Sequence, residues 1–144
     1  MKIFSPAFEN GKQIPVKYTK NGGNITPPLL FRDIPKKTKS IAIIVEDPGG
    51  PLIKFIHWVV WNIPPNIREI SEGEKVTYPQ GKNSLLKRGY LGPCPPYGKH
   101  KYFFNVYALD TMLDIKPNSS RKKLEKAMSN HIIEKSSLIG IYKK

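Results

Sequence analysis

The sequence predicts a mostly β domain of largely antiparallel strands with one helix late in the chain. Three observations predict it. Short apolar and alternating runs recur at close spacing, each bounded by turn residues. The chain's 14 prolines and 11 glycines supply those turns. Only the stretch near residues 119–134 carries the spacing of a helix with one buried stripe. With 144 residues, one domain spanning 1–144 is expected, burying about 68–70% of its unfolded surface, so its core needs neither disulfide nor metal.

Taken in order, Ile3–Phe4 with Ala7–Phe8, and Ile14 to Tyr18, are short strand candidates separated by Asn10–Gly11, a hairpin-type turn signal. Asn21 to Pro28 is a loop ahead of Leu29–Phe31. Ser40 to Asp47 is an apolar run of strand length, as expected of a strand covered on both faces. Asp47-Pro48-Gly49-Gly50-Pro51 breaks it and leaves a carboxylate at its end. His57 to Ile63 forms the next strand, stopped by Pro64-Pro65. Its period of two puts His57, Val59 and Trp61 on one face and Trp58, Val60 and Asn62 on the other.

Within the charged stretch Arg68 to Tyr78, Lys75–Thr77 suggests a short strand, and Gln80 to Lys87 reads as loop. The Gly/Pro-dense run from Gly89 to Gly98 excludes helix. It leads into Tyr102–Leu109, a strand by its aromatic and β-branched content. Asn118 or Ser119 caps a helix whose apolar residues fall at Leu124, Ala127, Met128 and Ile132. His131 borders that stripe and reads as a packing residue. Ser137 to Tyr142 closes the chain as a strand.

Charge and cysteine content narrow the function classes. Lys and Arg number 24 against 11 Asp and Glu, a formal charge of +13. The lysines are scattered, and no helix-turn-helix, zinc-finger or RNA-binding motif accompanies them, so they read as solvated surface and no specific nucleic-acid partner is expected. Cys94 is the sole cysteine, which rules out an intramolecular disulfide and argues against a cysteine-based zinc site. The amino terminus lacks the apolar core of a signal peptide. The longest fully apolar run, Ile41–Val45, is too short to cross a bilayer. A cytoplasmic protein without membrane insertion is expected.

The chemistry-bearing residues cluster by position. Asp47, His57, His100 and Tyr102 each stand at an end of an expected strand beside a Gly/Pro loop, where sites are commonly grafted on β scaffolds. His100 and Tyr102, two apart, share a face about 6.5 Å from one another along the strand. One reading is an anion pocket, in which imidazole N–H groups, the Tyr102 hydroxyl and backbone N–H groups freed around Gly92 donate to phosphate oxygens. Asp47 then accepts from a histidine ring. A second is a two-histidine, one-carboxylate metal site. A third is a general-base pair of Asp47 with a histidine, although no Gly-x-Ser-x-Gly elbow is present and Cys94 is held between prolines. The plain structural reading has Asp47 capping a turn and the histidines satisfied within the fold.

Four ordered blocks carry a family resemblance: Asn24-Ile25-Thr26-Pro27-Pro28; Thr38 through Asp47-Pro48-Gly49-Gly50-Pro51; His57-Trp58-Val59-Val60-Trp61-Asn62-Ile63-Pro64; and Gly89-Tyr90-Leu91-Gly92-Pro93-Cys94-Pro95-Pro96 through His100-Lys101-Tyr102. Together they resemble the phosphatidylethanolamine-binding protein family in its short bacterial and archaeal, Raf kinase inhibitor protein-like branch. The resemblance implies a β-sandwich of packed antiparallel sheets with one or two peripheral helices. It also implies a small pocket for phosphate, acetate or a phosphorylated head group, lined by Asp47, Pro51, His57, Gly92, His100 and Tyr102, with Phe55 and Pro93 in its wall. No cofactor and no metal are implied. Family members are mainly binders and regulators, among them serine protease inhibitors and kinase modulators.

The chain departs from the family where Asp47-Pro48-Gly49-Gly50-Pro51 replaces the usual Asp-Pro-Asp-Ala-Pro, losing one carboxylate beside the pocket. The long C-terminal helix of animal members is missing, which implies a more open mouth, with room for a head group but not for acyl chains. The expected function is a regulator that binds phosphate groups, either an inhibitor of chymotrypsin- or elastase-type serine proteases or a kinase-pathway-type modulator. Its inhibitory loop would be Tyr78–Lys87 or Gly49–Phe55, with Leu85 or Leu86 as apolar anchor. The competing class is a hydrolase or metal-dependent enzyme using Asp47, His57 and His100.

Overall fold

The computed structural model describes residues 1–49, 54–95 and 97–143. Among the described residues there are eight strands, β1 (Lys2–Phe4), β2 (Lys12–Gln13), β3 (Leu29–Arg32), β4 (Ser40–Asp47), β5 (Phe55–Ile63), β6 (Glu69–Ile70), β7 (Lys99–Leu109) and β8 (Ile132–Lys143), with helix α1 (Arg121–Met128) between the last two. They form a three-stranded sheet in the order β1-β3-β6 and a five-stranded sheet in the order β2-β8-β7-β4-β5. All pairings are antiparallel except β2 with β8, which is parallel.

The apolar content of β4 has its cause in two cores. Ile41, Ile43 and Val45 pack with Trp58, Val60, Tyr102 and Phe104 against Leu29, Phe31 and Ile70 of the small sheet. Ala42 and Ile44 face the other way, onto Val59, Trp61, Leu124 and Met128. A central strand buried on both faces cannot alternate in polarity.

β5 departs from simple alternation. Val45 pairs with Trp58 but Glu46 pairs with Ile56, so His57 is an extra residue in β5; a second irregularity falls between the pairs Ile41–Ile63 and Ile43–Val60. At this second bulge Asn62 adopts a φ of +55° and its side chain joins Leu113 through bonds of 2.9 and 2.8 Å. A bulge re-aims the side chains beside it. His57 therefore stands edge-on to Tyr102, on the Trp58 side, with ring centroids 5.2 Å apart. The face shared with Val59 and Trp61, expected from strict alternation, is corrected by this one residue.

Other local expectations also change. Asn10–Gly11 does turn the chain, with Gly11 at φ +82°, but no hairpin follows, because β1 pairs with β3 and β2 with β8. The turn instead clamps β8, where Ile139 N–H donates to Asn10 Oδ1 and Gly11 N–H to the Ile139 carbonyl. Ala7–Phe8 and Lys75–Thr77 are not strands, and Val16–Tyr18 is a single 3-10 turn.

The helix is shorter than residues 119–134. Ser120, one position beyond the expected caps, accepts from Lys123 N–H at 3.2 Å. Leu124 and Met128 form the buried stripe. Asn130 at φ +69° then reverses the chain, and β-branched Ile132 enters β8 opposite Leu109. His131 pairs with Asp110 at 2.8 Å instead of packing on the stripe.

Gly140 sits opposite Tyr102 on β8, and a Cβ there would stand 2.4 Å from Ile14 Cγ1 and 2.8 Å from Phe8 Cε2. Both neighbours are core residues. Gly140→Val is expected to cost about 1–3 kcal/mol of folding stability through overpacking, measured by urea unfolding. A midpoint equal to that of the parent would show that this contact is slack.

Candidate functional site

The antiparallel order brings the end of β4 and the starts of β5 and β7 to one edge of the large sheet. Asp47, two residues beyond Val45, and His100 and Tyr102 of β7 point to the inter-sheet face by strand parity. The bulge adds His57. These side chains, with Gly49, Phe55, Lys20, Leu85, Leu91, Cys94, Pro95 and Tyr97, line a cleft of about 590 Å³. The convergence expected of Asp47, His57, His100 and Tyr102 is what the fold produces.

Each polar group has a defined orientation. Asp47 Oδ2 lies 2.6 Å from His100 Nδ1, so Nδ1 carries the proton and donates to the carboxylate. Asp47 Oδ1 accepts from Gly49 N–H at 2.8 Å. The carboxylate is thus occupied on both oxygens. A Cβ on Gly49 would come within 3.1 Å of Asp47 Oδ1 and 3.8 Å of His100 Nδ1, so glycine lets the backbone close over this pair.

His57 Nδ1 lies 2.7 Å from the Leu91 carbonyl, while Leu91 N–H donates to the His57 carbonyl at 2.9 Å. Facing a carbonyl, Nδ1 holds the proton, and Nε2 has no partner among the described residues. His57 is only 3% exposed. Burial holds its imidazole below the ordinary histidine range, outweighing the Leu91 carbonyl, the Asp47 charge and the Gly92 carbonyl, which act in the opposite sense.

Tyr102 is 1% exposed, and its hydroxyl has no hydrogen-bond partner among the described residues. Burial, then the Asp47 carboxylate, pushes the phenol well above its ordinary range, so the group remains an O–H donor. The rings of His100 and Tyr102 stack with centroids 6.5 Å apart.

The Gly/Pro run behind the cleft is fixed from the rear. Gly92 N–H donates to Asn24 Oδ1 at 2.7 Å, Lys20 N–H to the Pro93 carbonyl at 2.9 Å, and Tyr90 OH to the Tyr18 carbonyl at 2.7 Å. A Cβ on Gly92 would meet the Tyr18 carbonyl oxygen at 2.4 Å. Gly92 and Pro93 therefore support the wall without lining it. The donor expected from the Gly92 backbone is taken by Asn24. Pro51 lies outside the described residues, as does most of the Gly49–Phe55 loop.

Sequence reasoning missed Lys20 and the bracing role of Asn24. Asn24 carried a signal, since it opens the first of the four blocks that carry the family resemblance; in the fold it adopts φ +53°, a conformation asparagine tolerates. Lys20 carried none, because only the Pro93 contact brings it to the cleft. Among the described residues, no group of three His, Cys, Asp or Glu side chains is placed to hold a metal ion. Both histidine Nδ1 atoms are already engaged within the protein.

Over residues 4–143 the sequence matches the family model described as phosphatidylethanolamine-binding protein. A UPF0098 protein of Pyrococcus horikoshii is 46% identical over 150 residues, covering 97% of this chain and 75% of the relative. One from Chlamydia pneumoniae is 45% identical over 149 residues, covering 100% and 99%. The fold superposes with a TM-score of 0.96 and 40% identity on a crystal structure from Chlamydia trachomatis reported as that of a phosphatidylethanolamine-binding protein homologue, covering 99% of this chain and 97% of that one. Against YbcL of E. coli, described as a new member of the mammalian family, the TM-score is 0.92 at 28% identity, covering 99% and 98%. No helix among the described residues is long and apolar enough to cross a membrane.

His57 ties the cleft to stability. Unfolded, it takes up a proton below about pH 6.5; folded, burial delays that uptake to lower pH. In between, the unfolded chain binds more protons, so stability falls as the pH falls. Urea midpoints are expected to drop from about pH 7.5 to about pH 5, and to drop less in His57→Asn, which keeps a donor for Leu91. Equal slopes in the two proteins would contradict the burial of a neutral His57.

Proposed function

Because this chain belongs to the phosphatidylethanolamine-binding protein family, we propose that its cleft binds a phosphate-like anion attached to an apolar organic group, and that the protein works by binding. One observation carries this reading. His57 and Tyr102 are almost wholly buried residues that line the same cleft, and neither the Tyr102 hydroxyl nor His57 Nε2 makes a hydrogen bond to a described residue. Both groups keep free hydrogen-bonding capacity at the cleft surface, and a protonated anion there would use both.

Charge supports the same ligand. The Asp47 carboxylate is matched by His100 Nδ1–H and Gly49 N–H, and Lys20, an exposed basic residue, borders the cleft. Neutral His57 offers a lone pair at Nε2, so it receives either a protonated phosphate oxygen or a proton that accompanies the anion. Affinity therefore rises as the pH falls through the histidine range. A phosphate fills only part of about 590 Å³. The remaining wall of Phe55, Leu85, Leu91 and Tyr97 takes an apolar group, which gives more room than the sequence suggested for a ligand beyond its head group.

Catalysis and protease inhibition draw less from the geometry. A nucleophile must stand within hydrogen-bond reach of its base, and no such bond joins Cys94 to either imidazole among the described residues. The Tyr78–Lys87 loop is pinned by Asn83, whose Oδ1 accepts from Leu85 N–H at 2.9 Å and Lys87 N–H at 3.3 Å. Its tip, Leu86, is exposed but adopts a φ of +61°, far from the extended strand that pairs with an enzyme's edge. Leu85 instead forms part of the cleft rim.

Phosphate titration by calorimetry tests the anion reading. Tyr102→Phe is expected to weaken binding about ten- to a hundredfold, the worth of one hydrogen bond to a charged group. Gly49→Asp, which restores the family's usual carboxylate, is expected to weaken it about five- to tenfold by repulsion across a partly screened site. Parent-like affinity in both variants, or affinity that is flat from mildly acidic to mildly basic pH, would remove the proposal.

A further inference from the structure

Resting on that anion reading, we propose that Cys94 is a covalent modification site that closes the cleft by forming a mixed disulfide with a low-molecular-weight thiol. Cys94 is the chain's only cysteine, its side chain is exposed, and it lines the same cleft as His57, His100 and Tyr102. Its position is fixed. Pro93 and Pro95 flank it and are buried, the Pro93 carbonyl is held by Lys20 N–H at 2.9 Å, and a residue preceding proline is confined to extended backbone. The backbone that carries the thiol is therefore held at the cleft wall.

An exposed cysteine alone would signify little. The second observation is what it stands beside: His57, 3% exposed, and Tyr102, 1% exposed, whose unpartnered Nε2 and hydroxyl are reached through this cleft. A group attached to Cys94 occupies the route a ligand must use. With no second cysteine to resolve it, such an adduct persists until an external thiol removes it.

The chemistry is thiol–disulfide exchange. Cys94 loses its proton to solvent, and the thiolate attacks one sulfur of a small disulfide such as oxidised glutathione. The S–S bond of the reagent breaks and a bond from Cys94 Sγ forms. The departing thiolate takes a proton from solvent. Cys94 is oxidised, the leaving half of the reagent is reduced, and no other electron source is required.

The test uses the full chain treated with oxidised glutathione, checked by mass spectrometry for a one-to-one adduct, freed of reagent and titrated with inorganic phosphate. Phosphate affinity is expected to fall at least tenfold and to return after dithiothreitol, and phosphate present during treatment is expected to slow adduct formation. In Cys94→Ser, the affinity, whatever its own value, is expected to be identical before and after treatment. An adduct that binds phosphate within twofold of the untreated protein overturns the proposal and leaves the anion reading standing. So does a folded chain that forms no adduct while the unfolded chain does. Failure of the untreated protein to bind phosphate at all overturns both.

Discussion

The candidate site depends on one extra residue in a strand. Without the bulge between Val45–Trp58 and Glu46–Ile56, the His57 ring would follow Val59 and Trp61 into the core beneath α1. With it, the ring stands against Tyr102, and the 2.7 Å contact with the Leu91 carbonyl fixes which nitrogen faces the protein. The same contact fastens the start of the Gly/Pro run to β5. The strand irregularity thus orients an imidazole and anchors the loop that forms the opposite wall.

Around that constraint the fold separates support from chemistry. Asn24, Tyr18 and the Lys20 backbone take up the polar groups of Tyr90, Gly92 and Pro93 from behind. None of that bonding uses the groups that face the cleft. In front, the Asp47 carboxylate lies between an imidazole N–H and a backbone N–H. A negative charge at the edge of the proposed anion site would be a defect if unpaired. Paired twice, it orients His100 and leaves the second nitrogen of that ring for a ligand. The pair also borders a neighbouring hollow lined by Lys99 and Lys101, so basic residues flank it on both sides.

Much of this was legible in the sequence, and the limits have physical causes. The run Ser40–Asp47 declared a doubly buried strand because both of its faces must be apolar. His100 and Tyr102 declared a common face because period two leaves no other choice within one strand. His57 could not be placed on the correct face, because a bulge is a pairing event with β4 and leaves no mark in β5 alone. The helix limit was misread for a similar reason. Ile132 continues the spacing of Leu124 and Met128, yet pairing with Leu109 on β7 outweighs local propensity. Gly92 looked like a source of free N–H groups, and only the fold reveals that Asn24, distant in sequence, consumes its donor.

The central claim is that His57 and His100 each commit Nδ1 to the protein and turn Nε2 to one shared anion. Long-range proton–nitrogen NMR of the three histidine rings tests it most directly, with His131, bound to Asp110 away from the cleft, as the internal control. At neutral pH the account predicts that His57 is the Nδ1–H tautomer and that phosphate shifts the Nε2 signals of His57 and His100 while His131 stays still. A His57 protonated at Nε2 alone, or phosphate shifts no larger at His57 and His100 than at His131, would contradict it.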